Sequence, residues 1–126
     1  MQTNKENIII DITFNFSIDI INYCKKLEEN RQYNIGNQLF RCGTSIGVNV
    51  REAQNTESKI DFIHKLKIAA KEADETEYWL QICNQLKDYP NTTDLLVKIE
   101  SIQKILSKII SSSKQSSNYQ TIKSSN

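Results

Sequence analysis

The chain has 126 residues and a formal net charge of +1, with 38% apolar and 25% charged residues. That length predicts one domain with a single core, and the near-even charge gives no overall pull toward nucleic acid or an acidic membrane surface. One proline and three glycines are too few for the many turns of an all-β fold, so long helices with few connections are expected.

The first element reads two ways. Residues 10–20 alternate apolar and polar, which is a strand signal. Phe16, Ile20, Tyr23 and Leu27, however, step by four, three and four, and Phe14, Ile18 and Ile21 form a second stripe beside them. The helical composition of NYCKKLEEN, with no turn signal before it, favours a helix over about 13–30. Thr13 would be its N-cap and residues 8–12 an extended arm.

A second helix is predicted over about 33–55. Ile35, Leu39, Cys42, Ile46, Val50 and Ala53 supply one apolar face. All three glycines, Gly36, Gly43 and Gly47, fall in this helix, where each costs about 1 kcal/mol relative to alanine. With Gly36 at zero on a helical wheel, Gly43 lies at about −20° and Gly47 at about +20°. Phe40 and Val50 flank them at roughly 40° on either side. The core stripe centres near −80°, so the glycines form a strip of their own beside it. Small residues at such spacing let another backbone approach closely. Gly36, Phe40, Gly43, Gly47 and Val50 are therefore candidates for close packing, either against a helix of the same chain or against another subunit.

A polar stripe lies across the core stripe from the glycines: Arg41, Ser45, Asn49 and Glu52, with Arg51 beside it. Helices two and three should be antiparallel across a turn near Thr56 and Glu57. Reflection through that turn brings Arg41 near Glu72 or Glu75, an arginine–carboxylate pair between helices. The alternative is that Arg41 and Arg51 meet a phosphate or a partner protein.

The third helix is predicted over 58–89. Ser58 and Asp61 resemble a capping box, and Phe62, Leu66, Ala69, Ala73, Thr76, Leu80 and Cys83 alternate steps of four and three. Pro90 ends it. The fourth is predicted over 93–111 from Leu95, Ile99, Ile102, Leu106 and Ile109. Seven of the last sixteen residues are serine, so 112–126 reads as a disordered tail. Residues 1–110 should form an all-α, antiparallel up-down-up-down four-helix bundle.

Catalytic chemistry is poorly supplied. His64 is the single histidine, without a second histidine or an ExxH motif for a metal. Glu72, Asp74, Glu75 and Glu77 read as a solvated face with local pairs. No phosphate-binding loop, dinucleotide fingerprint or nucleophile elbow occurs. No cofactor, metal or catalytic residue is expected, and the protein is read as a non-enzyme. Trp79 is expected to anchor packing rather than stack on bases. Lys98, Lys104 and Lys108 are candidates for phosphate contact, in a C-terminal segment where five lysines stand against Glu100 alone. Cys24, Cys42 and Cys83 are odd in number and never spaced CxxC, which suits a reducing, cytoplasmic setting. Asp11 breaks the N-terminal apolar run, so no signal peptide is read there. No run is long enough for a membrane span.

The segments TFNFSIDIINYCKKL, LFRCGTSIGVNVREA and SKIDFIHKLKIAAKEADETEYWL resemble the bacterial four-helix-bundle proteins encoded in 23S rRNA intervening sequences, over residues 8–110. That resemblance implies a bundle that assembles as a homo-oligomer, a ring-like pentamer, and together with the glycine strip it leads to the expectation of a non-catalytic binding or scaffold module. The same superfamily holds the accessory protein of diversity-generating retroelements. It implies an alternative role, a nucleic-acid-binding subunit (RNA or DNA) for a reverse transcriptase or another enzyme. That relative depends on a strongly basic surface, from which this chain departs with its net charge of +1 and four carboxylates between Glu72 and Glu77. An enzyme with an intersubunit site is the remaining alternative.

Overall fold

Apolar residues spaced three and four apart need a common surface to bury against, and four such stripes find it in one another. The computed structural model describes the backbone of residues 4–124 and the side chains of residues 8–115. It contains α1 (Asn4–Glu29), α2 (Tyr33–Ala53), α3 (Lys59–Gln85) and α4 (Thr93–Ser124). Each helix packs against its neighbour in the chain, and α1 against α4. Every neighbouring pair runs antiparallel, and the chain is an all-α four-helix bundle. Phe16 and Ile20 of α1, Leu39 and Ile46 of α2, Leu66 and Leu80 of α3, and Ile102 and Leu106 of α4 are fully buried in the centre. Burial of each such side chain stabilises by about 1.5–3 kcal/mol.

The expected start of α1 is corrected. The helix begins at Asn4, so residues 8–12 are helical rather than an extended arm, and Thr13 is no N-cap. Thr13 is buried, and its hydroxyl donates to the Ile9 carbonyl at 2.6 Å. A threonine satisfied by the preceding turn can occupy an apolar stripe. The stripe therefore continues upstream from Phe16 through Thr13 to Ile9.

The chain leaves α1 in a Schellman turn: Gln32 N–H donates to the Leu27 carbonyl at 2.8 Å and Arg31 N–H to the Glu28 carbonyl at 2.9 Å. Arg31 has φ 60°, the left-handed conformation usual for glycine at this position. Among the described residues it is the non-glycine residue with positive φ.

The other boundaries shift inward or outward. α2 ends at Ala53, short of residue 55. Ser58 caps α3, its hydroxyl accepting from the Asp61 N–H at 3.1 Å. α3 ends at Gln85 rather than 89, because Leu86 turns extended with ψ 125°. The freed segment closes the bundle end. Tyr23 Oη donates to the Pro90 carbonyl at 2.7 Å, and the buried Thr92 hydroxyl to the Leu80 carbonyl at 2.9 Å. α4 continues past 111 to Ser124, where a disordered tail is expected from 112. Serine disfavours a helix only mildly, and no glycine or proline follows Pro90 to break it. Residues 125–126 of that expected tail lie outside the described residues.

Candidate functional site

Gly43 and Gly47 set the distance between α1 and α2. A Cβ placed on Gly43 would lie 2.9 Å from both Cγ atoms of Ile20. On Gly47 it would lie 3.2 Å from the Thr13 carbonyl oxygen and 3.3 Å from Ser17 Oγ. On Gly36 it would sit in ordinary contact, 3.7 Å from Leu27 Cβ. The surface that meets the strip is α1 of the same chain. Val50, at the edge of the strip, is fully buried, whereas Phe40, at the other edge, is 49% exposed. Cys24 Sγ on α1 lies 3.4 Å from the Gly36 carbonyl, a contact that the open side of a glycine-bearing helix permits.

The polar stripe faces α3. Arg41 Nη1 meets Glu72 Oε2 at 3.3 Å, and Arg41 Nη2 donates to Glu75. Glu75 also accepts from Trp79 Nε1 at 3.2 Å. The guanidinium hydrogen bond holds the Glu75 carboxyl below its ordinary pKa, against the opposing effect of burial, and the indole bond adds to that lowering. Ser45 donates to the Arg41 carbonyl at 2.5 Å and Asn49 to the Ser45 carbonyl at 2.9 Å, so these two side chains turn back on their own helix. Glu52 pairs with Lys65 of α3 at 2.8 Å. Arg51 stands apart from the stripe. Its guanidinium carbon lies 5.6 Å from the centre of the Phe14 ring on α1.

Two of the three candidate phosphate-binding lysines are engaged with carboxylates. Lys98 meets Asp19 of α1 at 2.9 Å and Asp94 at 3.1 Å, and its pKa is raised by the hydrogen bond to Asp19. Lys104 meets Glu100 at 3.3 Å. Lys108 is exposed and makes no ion pair with a described residue. A different basic pair emerges between helices: Lys67 of α3 and Lys114 of α4 face each other, and the ammonium of Lys67 presses the pKa of Lys114 down. His64 is exposed on α3. Among the described residues, no group of three or more histidine, cysteine, aspartate or glutamate side chains is placed to hold a metal ion. No helix among them is long and apolar enough to cross a membrane.

An open groove of about 350 Å³ runs between α1 and α2. Thr44, Gly47 and Ser17 line it, together with the rims Phe14, Phe40 and Val48. Those three rim residues are 52%, 49% and 53% exposed, large apolar side chains outside a core that is already closed. The Phe14, Ile18, Ile21 stripe signals the α1 rim in the sequence. Val48 and Thr44 carry no such signal, because a single valine and threonine on a polar helix face are ordinary.

The match to proteins of known family follows the bundle. A family model described as "23S rRNA-intervening sequence protein" matches residues 5–108. A crystal structure of a protein of unknown function from the S23 ribosomal protein family of Bacteroides thetaiotaomicron VPI-5482 superposes with a TM-score of 0.80. It shares 37% sequence identity and covers 85% of this chain and 98% of its own. No curated protein matches the chain at a significant level.

Proposed function

The chain belongs to the 23S rRNA-intervening sequence protein family, and from that premise we propose that it acts as a non-catalytic, homo-oligomeric binding or scaffold module. The observation that carries this reading is the employment of its charged residues. Arg41, Glu72 and Glu75 tie α2 to α3, Glu52 and Lys65 do the same one end further, and Lys98 and Asp19 tie α4 to α1. Side chains that general acid–base work would draw on are thus occupied in holding helices in register. What the surface offers instead is apolar: Phe14, Phe40 and Val48 suit contact with protein.

The reading is tested by light scattering on the full chain at micromolar concentration. An assembly gives a multiple of 14.6 kDa, and the ring-like pentamer implied by the family resemblance gives about five times that mass. A monomer mass overturns it.

A second reading, a nucleic-acid-binding accessory subunit of a reverse transcriptase or another enzyme, draws support from Lys67 and Lys114. Two ammonium groups face each other there, and neither pairs with a carboxylate among the described residues. It predicts RNA or DNA binding that weakens steeply with salt. No mobility shift at low salt removes it.

A further inference from the structure

We propose that the groove between α3 and α4 binds a small phosphate monoester, with the phosphate held between Lys67 and Lys114. This stands apart from the oligomer reading. It gives the lysine pair a smaller ligand than the nucleic acid of the second reading, and the test separates the two.

Lysines elsewhere on the bundle have carboxylates within reach. Lys98 meets Asp19 and Asp94, Lys104 meets Glu100, and Lys65 meets Glu52. Lys67 and Lys114 have none at helical spacing. Ile63, His64, Ala70 and Lys71 stand three and four residues from Lys67, and Ile110, Ser111, Ser117 and Asn118 from Lys114. The two ammonium groups nonetheless come within hydrogen-bonding reach of each other across α3 and α4. Two cations so placed repel, and a dianion between them replaces the repulsion with charge-assisted hydrogen bonds.

The pair stands at one end of a cavity. Ala70 and Asp74 of α3 face Gln103, Ser107, Ser111 and Lys114 of α4 across an open groove of about 430 Å³. The space exists because small side chains oppose each other there, Ala70 on one helix and the two serines on the other. The hydroxyls of Ser17 and Ser45 turn back to carbonyls of their own helices. Those of Ser107 and Ser111 make no hydrogen bond with a described residue, which leaves them to a ligand.

Volume and charge select the occupant. The groove falls within the roughly 300–1,000 Å³ of sites for small organic ligands, so a body attached to the phosphate has room over Ala70 and Ile110. The far end is acidic: Gln103 Nε2 donates to Asp74 at 3.0 Å and to Glu77 at 3.4 Å. Asp74 lies about 10 Å along α3 from Lys67, beyond the screening length of about 8 Å at physiological salt. One phosphate at the lysine end is therefore largely screened from these carboxylates. A nucleic-acid strand following the groove would lay its next phosphates against them.

The test titrates the full chain at low salt with adenosine monophosphate, followed by calorimetry, with adenosine and a 5′-hydroxyl RNA oligonucleotide as comparisons. The wild type should bind adenosine monophosphate with a Kd below about 1 mM, and at least about tenfold more tightly than adenosine. Lys67→Gln and Lys114→Gln should each weaken that binding about tenfold, with helix content unchanged by circular dichroism. Ser111→Leu, at an exposed position, should weaken it by filling the groove. Lys104→Gln, which removes a lysine already paired with Glu100, should bind like the wild type. No saturation by adenosine monophosphate overturns the site, and so does equal binding of adenosine. Lysine variants that bind like the wild type overturn it as well. An RNA that displaces adenosine monophosphate and binds more tightly overturns the monoester assignment and returns the pair to the second reading. None of these outcomes depends on the mass seen by light scattering, so this inference and the oligomer reading fail separately.

Discussion

Gly43 and Ile20 touch so closely that any side chain on Gly43 would overlap both Cγ atoms of the isoleucine, 2.9 Å from where a Cβ would stand. Ile20 is β-branched and fully buried, so it has no rotamer to retreat into. Alanine at the three glycine positions should therefore give three different outcomes. Gly43→Ala should destabilise by about 1–3 kcal/mol, the usual cost of overpacking a core. Gly47→Ala faces a backbone oxygen at 3.2 Å and should fall between, with helix propensity offsetting part of the strain. Gly36→Ala has ordinary contact distances and should stabilise by up to about 1 kcal/mol. Urea unfolding of the three variants checks the order, and a Gly43→Ala protein as stable as wild type would contradict the packing.

Glu75 makes the bundle sensitive to acid. Its folded pKa is depressed, first by the Arg41 hydrogen bond. A group of that kind contributes stability above its unfolded pKa and loses it as pH falls through the folded value. Wild type should therefore lose stability from just above the ordinary glutamate range, near pH 4.5, downward. Glu75→Gln should be less stable at pH 7 and show a smaller difference between pH 7 and pH 3. The pair is partly exposed, so the effect should shrink in high salt. Equal pH profiles for the two proteins would show that the pair contributes nothing.

Arg31 occupies a left-handed position that costs an L-residue about 1 kcal/mol or more. Arg31→Gly removes that cost and gives back part of it as unfolded-state entropy. The expected net gain is about 0.5–1 kcal/mol, read as a higher midpoint in thermal or urea unfolding. A loss of stability would mean that the arginine side chain holds the turn in another way.

The three thiols should be slow to react in the folded protein. Burial pushes Cys24 up to about 11, and raises Cys42 and Cys83 as well. The thiolate is the nucleophile, so at pH 8 Cys24 should alkylate roughly a hundredfold more slowly than a free cysteine. Cys42 and Cys83, fully buried, should react only on unfolding. Mass spectrometry of iodoacetamide-treated protein, with and without urea, reads this directly. Rapid labelling of Cys42 in native protein would show that the core opens at that level.

Much of this architecture can be seen in the spacing of residues. Steps of four and three mark the buried faces of α2, α3 and α4, and reflecting α2 through the α2–α3 turn places Arg41 beside Glu72 and Glu75, where the structure has it. The wheel also groups the glycines correctly, yet it carries no information on which helix lies opposite them. That depends on the rotation of α1 about its own axis, a product of packing among all four helices. The start of α1 was obscured by Thr13. A threonine at the edge of an apolar run has the composition of a cap, and its hydrogen bond to Ile9, which makes it a core residue, is a three-dimensional fact. The rims of the α1–α2 groove are only half visible for a related reason. Periodicity reports which residues share a helix face, whereas a groove joins residues from two helices.

The two ends of the bundle are unequal. At one end the α1–α2 turn and the α3–α4 connection are tied together, Gln32 Nε2 donating to the Asp88 carbonyl at 3.3 Å and Tyr23 to the Pro90 carbonyl at 2.7 Å. At the other end the α2–α3 turn stands between the start of α1 and the far part of α4. Thermal breathing then has a direction. The Tyr23–Pro90 end is then the expected hinge, like the spring of a clothes-peg, and α1 and α4 are the jaws expected to part first in local opening.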